Sequence, residues 1–358
     1  MENSNILEHM LSLMSRPAFS VEDGVITHLN YAAQAMHIQL GTEIKSMLPD
    51  AWEDYQNFQG GCLYLPIEIM QIKNGASITQ VNNAHIFIVE DSAASAQLNA
   101  LALAGVELRM NLSNLNAAFE SSLNNIEHRT PESAQLAGHI HRSLHQMHRV
   151  VNNMSDAAYW GRGVNTFRQM DVAGFYNEVM EKTAEYLSAA NIQLHYTKVD
   201  EPIYTRASKE MLERAIYNLV ANAAKFSKRG TPLQVSLEKS KNRLIFTVEN
   251  TGHGLNPDSL INAFNHYLRK PTAQDARIGI GLGITIVRST ALAHNGTVMI
   301  YPVDADTTRV VMTLAIDKGE ETILRNNQCT IDYTGGKDTA LIELSEVLPA
   351  SIYENEII

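Results

Sequence analysis

The chain of 358 residues is poor in cysteine, in positive charge and in long apolar runs. Its two cysteines, Cys62 and Cys329, stand far apart, so no disulfide framework is expected and a reducing compartment fits. Lys and Arg number 28 against 39 Asp and Glu, for a formal net charge of −11. That balance argues against nucleic acid as a main partner, because a phosphate backbone wants a basic face. No uncharged apolar run approaches the ~20 residues that cross a bilayer. The N-terminus lacks the basic-then-apolar pattern of a secretory signal. What is present, 45% hydrophobic and 19% charged residues, suits a folded chain of two or three domains. The expectation is a soluble, cytoplasmic protein with no membrane span and no nucleic-acid partner.

Residues 1–92 read as mixed α and β. Pro17 to Val21 and Val25 to Leu29 flank the turn Glu22-Asp-Gly24, and Asn30-Tyr-Ala-Ala-Gln-Ala-Met36 looks helical. Gly61 to Leu65, Ile67 to Ile72 and Ala84 to Val89 are strand candidates. In residues 93–160 glycine and proline nearly vanish. Leu101, Leu108, Leu112, Leu115, Phe119 and Leu123 recur at helical spacing, as do Leu136, Ile140, Leu144, Met147 and Val151. His128-Arg-Thr-Pro131 interrupts them, because Pro is excluded from a helix interior. The result is an antiparallel helical hairpin, whose apolar stripe a second copy would cover as a four-helix bundle. Residues 161–318 are α/β. The extension 319–358 contains a possible hairpin, Cys329 to Tyr333 and Ala340 to Leu344 about Thr334-Gly-Gly336.

Chemistry-bearing residues concentrate between Ala207 and Ile286. Asn218, Asn222 and Lys225 lie at i, i+4 and i+7, one face of a predicted helix. Two carboxamides and an ammonium there offer oxygen ligands to hydrated Mg²⁺ (Asn222, Asn218) and a positive charge to phosphates. Asn250-Thr-Gly252-His-Gly254 follows an alternating strand, and its glycines allow close approach to a planar ring. Gly279-Ile-Gly281-Leu282-Gly283 opens a further helical pattern, presenting N–H groups to phosphate. Arg269, Lys270 and Arg277 lie between the loops without regular period, as a lid over phosphates would.

Together these motifs resemble the ATP-binding domain of sensor histidine kinases, the GHKL-type fold shared with gyrase, heat-shock and mismatch-repair ATPases. The helix resembles the family's N box, and His294-Asn-Gly-Thr297 resembles its Gly-Gly-Thr turn. The opening region, with its Asp-Gly turn and Asn-x-Ala-Ala, resembles a PAS sensor domain. The resemblance implies a multidomain α+β chain in the family's usual order: PAS-like α/β domain, dimerising hairpin, α/β sandwich ATPase domain. It implies ATP and Mg²⁺ as cofactors, a homodimer through residues 93–160, and a response regulator or other signalling protein as partner.

Two positions depart from the family pattern. Asn250 stands where the family has Asp, so the bond to the adenine amine loses its charge. A loss of about 1–2 kcal/mol would weaken ATP binding ~5- to 30-fold. The acceptor motif, Ser-His-Glu-Leu-Arg-Thr-Pro-Leu in the family, is matched with Asn116-Ala-Ala-Phe-Glu-Ser-Ser-Leu123, which sets Ala117 at the histidine and Ala118 at the acid. Alanine has no nucleophile. Substitute acceptors are His128 at the hairpin turn and His141 and His145, which share a face with His148 and could also hold a transition metal. Three readings follow: a degenerate histidine-kinase-like regulator, or pseudokinase, that still binds nucleotide; an active sensor kinase using a non-standard histidine; and a serine kinase of the anti-sigma type.

Overall fold

The computed structural model describes residues 2–90, 92–124, 130–159, 166–252, 264, 282–317 and 338–354. Helix α1 (Glu2–Ser12) precedes the strands β1 (Ala18–Glu22) and β2 (Val25–Leu29), paired antiparallel about Asp23 and Gly24. Both turn residues have positive φ, 50° and 78°, which the Asp-Gly pair tolerates. Asn30 then starts α2 (Tyr31–Ala35): its Oδ1 accepts the Ala33 N–H at 2.9 Å and the Ala18 N–H at 3.1 Å. Its Nδ2 donates to the carbonyls of Met14 and Arg16, tying the end of α1 to the hairpin. Helix α3 (Trp52–Gln56) leads to β3 (Cys62–Ile69), β4 (Ile72–Val81) and β5 (Ala84–Val89).

A strand was expected from Ile67 to Ile72; this is corrected. Ile67 to Ile69 finish β3, and the chain turns at Met70 and Gln71, whose φ values are 52° and 63°. The left-handed pair is filled without the Gly or Asn that marks such a turn in sequence.

Helices α4 (Ser92–Asn124) and α5 (Pro131–Tyr159) form the hairpin. Pro131 occupies the first helical position, where its missing N–H costs nothing. Leu112, Leu144 and Val151, with Phe119 and Ile140, close the seam between them. The next domain has α6 (Val172–Ala189) and α7 (Lys209–Phe226) with strands β6 (Arg168–Asp171), β7 (Leu194–Thr197), β8 (Tyr204–Ala207), β9 (Leu233–Ser240) and β10 (Arg243–Thr251). Then come α8 (Leu282–Ala293), β11 (Val298–Pro302) and β12 (Thr307–Ala315). In β10 Leu244, Phe246, Val248 and Asn250 point inward, the period-2 pattern of a half-buried strand.

Among the described residues the two α/β regions share one ten-stranded sheet, in the order β2-β1-β5-β4-β3-β11-β12-β10-β9-β7. The join is antiparallel, with Val298 opposite Tyr64, Met299 opposite Leu63 and Ile300 opposite Cys62. Cys62 and Tyr64 accordingly pack into the second domain's core, while Leu63 and Leu65 face the first. Past the second domain, Thr339–Glu343 is a helix (α9), capped by Asp338, whose Oδ1 accepts the Ala340 N–H at 2.9 Å. Ala340 to Leu344 were expected as a strand; the spacing of Leu341, Leu344 and Leu348 is helical. The other half of that hairpin, 329–336, lies outside the described residues.

Candidate functional site: the face of helix α7

Helix α7 is held at its start by an unusual partner. The Ser208 N–H donates to Nε2 of His294 at 3.1 Å, and His294 Nδ1 faces the Thr290 carbonyl at 2.7 Å. Accepting at one nitrogen and donating at the other keeps the ring neutral. Burial pushes its pKa down to about 4. The turn that places it needs Gly296: a Cβ there would lie 1.7 Å from the Thr313 carbonyl.

Asn218, Asn222 and Lys225 have different surroundings on α7. Asn218 is fully buried, donating to the Arg214 carbonyl at 2.8 Å and accepting from Arg149 of α5 at 3.3 Å. Gly283, at the start of α8, lets that helix approach it: a Cβ would come within 2.6 Å of Asn218 Oδ1. Asn222 and Lys225 are half-buried. Lys225 Nζ contacts Glu346 Oε2 at 3.0 Å, and both line a groove of about 1070 Å³ between the hairpin and the second domain. Lys225 is thus arranged to hold an anionic oxygen, as a phosphate-binding lysine must be, and Asn222 offers a hard carbonyl oxygen one turn away. The donor set fits a nucleotide with its magnesium, through Asn222 and Lys225 rather than through the covered Asn218.

Asn250 is buried on β10, opposite Thr308 of β12. Its neighbour Glu249 faces the other way and takes two contacts from Arg309, at 2.6 and 2.7 Å. Gly252 has a structural reason of its own: a Cβ there would lie 1.9 Å from the Phe226 carbonyl at the end of α7. Leu282 packs with Leu101, Met154 and Ala157 of the hairpin. Gly254, Arg269, Lys270, Arg277, Gly279 and Gly281 lie outside the described residues, as does His128.

Among the acceptor candidates, Ala117 and Ala118 are exposed on α4. His141 and His145 are buried. Nε2 of His141 meets Glu120 Oε1 across the hairpin at 2.8 Å, and its Nδ1 faces the Tyr353 carbonyl at 3.1 Å. Sequence spacing within α5 hid the carboxylate partner, because Glu120 belongs to the other helix. Among the described residues no group of three His, Cys, Asp or Glu side chains could hold a metal ion.

An ionic cluster beside the site was not foreseen. Arg214 contacts Asp156 at 2.9 Å, Asn153 at 2.7 Å and the fully buried Glu343. Arg149 reaches Glu343 at 3.5 Å and Glu346 at 2.7 Å. Burial would raise the Glu346 carboxyl, but Arg149 and Lys225 together hold it below the usual range. Three elements distant in sequence supply these groups, so no local motif announces them.

Residues 207–318 match the profile of the family described as histidine kinase-, DNA gyrase B- and HSP90-like ATPase. The sensor histidine kinase YvrG of Bacillus subtilis (strain 168) is 29% identical over 124 residues, 35% of this chain and 21% of that protein. The sensor histidine kinase CusS of Escherichia coli (strain K12) is 25% identical over 214 residues, 58% of this chain and 43% of that one. Among solved structures, full-length ShkA in complex with AMPPNP superposes with a TM-score of 0.50 at 20% identity, over 61% of this chain and 46% of that one. That likeness speaks to fold alone. Residues 207–318 therefore carry a histidine kinase-type ATPase domain. It spans less than half the length of these curated relatives. Among the described residues no helix is long and apolar enough to cross a membrane.

Proposed function

We propose that this chain is a cytoplasmic histidine-kinase-like signalling protein that binds ATP–Mg²⁺ on α7 and has lost the usual phosphoacceptor. The observation that carries the reading is Lys225 on the N-box helix, holding an anionic oxygen at 3.0 Å within a histidine-kinase-type ATPase domain. Asn222 would meet the magnesium, Asn250 the adenine, and the loop of Gly279 to Gly283 the phosphate chain. The nucleotide would supply a γ-phosphoryl group.

The acceptor register also needs revision. Gly105-Val-Glu107-Leu108-Arg109-Met-Asn-Leu112 keeps the Glu, Leu, Arg and final Leu of the family's acceptor motif in order, with Val106 in the histidine's place. We prefer this register to Ala117. It lies on the part of the hairpin nearest α8: Arg109 donates to Ser155 at 3.1 Å, next to Met154, which packs on Leu282. Either register leaves no imidazole. The pair His141–Glu120 bears on the second reading, transfer to a non-standard histidine, since Glu120 could hold the Nε2 proton while Nδ1, once released from the Tyr353 carbonyl, attacks phosphorus.

A homodimer suits the exposed apolar residues Leu103, Val106, Met110 and Leu115 of α4 and Leu136, Met147 and Val150 of α5, which a monomer leaves in water. A response regulator or another signalling protein would be the partner. The test is incubation with γ-labelled ATP followed by assay for acid-labile phosphate. The proposal expects none. Label that disappears in His141→Gln would overturn the loss of acceptor and establish the second reading.

A further inference from the structure

We propose that the C-terminal segment 338–354 is an autoinhibitory latch whose Glu346 occupies Lys225 in place of a nucleotide phosphate. This rests on α7 being the nucleotide site. Glu346 Oε2 lies 3.0 Å from Lys225 Nζ and 2.7 Å from Arg149 Nη1, so one carboxylate ties the phosphate-side lysine to the hairpin. Arg149 in turn covers Asn218. A triphosphate reaching Lys225 would meet the Glu346 charge within contact distance, and like charges at that range repel by an amount that burial increases. Nucleotide and Glu346 therefore compete for the same ammonium.

The rest of the segment holds this carboxylate in place, with Leu344 and Leu348 buried in the second domain's core. Arg142 donates to the Ser345 carbonyl at 3.1 Å and to that of Glu346 at 3.3 Å, and Gln146 donates to Ser345 at 3.0 Å. At the far end Tyr353 is fully buried, its carbonyl facing His141 at 3.1 Å and its ring 5.3 Å from that of His145. The segment thus covers the phosphate lysine and the His141–Glu120 pair at once. Close approach along α5 depends on Gly138, where a Cβ would lie 2.5 Å from the Ala350 carbonyl. Glu346 itself is 28% exposed, so water can replace its partners when it lets go.

Two variants of the full chain weaken the latch by independent routes. Glu346→Gln removes the competing charge. Gly138→Ala wedges the far end while favouring the α5 helix itself. ATP–Mg²⁺ affinity is measured by calorimetry, and hydrogen exchange of residues 338–354 is followed with and without nucleotide. The latch predicts roughly fivefold tighter binding in each variant, the scale of removing a part-exposed charge pair. It also predicts faster exchange of the segment when wild-type protein is saturated with ATP. Measurable binding with unchanged affinity in both variants and unchanged exchange would overturn the latch and leave the nucleotide site standing. No binding of ATP–Mg²⁺ by wild type or either variant at millimolar concentration would overturn both.

Discussion

The ATPase domain meets the rest of the chain along two seams made of different materials. Toward the N-terminal domain the seam is backbone: β11 adds to β3 and the sheet runs on through ten strands. Cys62 and Tyr64 carry the apolar core across it, and Arg288 of α8 lies 4.4 Å over the Tyr64 ring while pairing with Glu90. Toward the hairpin and the C-terminal segment the seam adds charge to apolar packing: Arg149, Arg214 and Lys225 stand against Glu343, Glu346 and Asp156, beside the buried Leu344, Leu348 and Tyr353. A strand join is all-or-none, because shifting it by one residue turns every side chain to the wrong face. An ionic seam can be exchanged partner by partner, and a nucleotide is a cluster of anions. The first seam suits a fixed attachment and the second a switch.

The largest expected effect comes from the ionic seam. Arg214→Ala should cost about 3–5 kcal/mol in chemical denaturation, because it strips the fully buried Glu343 of its nearer partner, leaving only Arg149 at 3.5 Å, and also unpairs Asp156. A loss under about 1 kcal/mol would mean that this seam is not formed in solution. Gly61→Val strikes the strand seam: Gly61 has φ of 86°, and a Cβ would meet the Ile300 carbonyl at 2.4 Å. A destabilisation of about 3 kcal/mol is expected, from backbone strain and overpacking together. Acid should act on a third point, the start of α7. His294 titrates near 6.5 unfolded and at about 4 folded, so between those values only the unfolded chain takes up the proton. Stability is full above pH 6.5 and falls by about 3 kcal/mol on going down to pH 4. His294→Gln should flatten that slope in denaturation curves taken across the range. The smallest effect is at the rim of the strand seam, where Lys241 and Glu53 pair at 3.3 Å while largely exposed. Lys241→Ala should change stability by less than about 0.5 kcal/mol.

The sequence made some of these features legible and hid others, for physical reasons. Helical spacing revealed the hairpin, and Pro131 marked its second start, because both signals are local. The α7 face and the glycine-bearing loops were readable as motifs. Gly252 and Gly283 also admit the Phe226 carbonyl and the Asn218 side chain, contacts that spacing does not disclose. Asn218, expected to share an open face with Asn222 and Lys225, is covered by Arg149 from α5. The strand seam and the C-terminal helix were missed, the first because pairing partners lie over two hundred positions apart. Ala340 to Leu344 looked like a strand because five residues of β-compatible character carry little period; the Asp338 cap was the available signal.

The proposed nucleotide site joins the face of α7 to an adenine end weakened at Asn250 of β10. Calorimetric titration of the full chain with ATP–Mg²⁺, beside Asn250→Asp and Lys225→Ala, tests it most directly. The account predicts measurable binding by wild type, ~5- to 30-fold tighter binding by Asn250→Asp, where the restored carboxylate makes a charge-assisted hydrogen bond, and weaker binding by Lys225→Ala. Binding that none of these substitutions alters, or no binding at millimolar nucleotide, would contradict it.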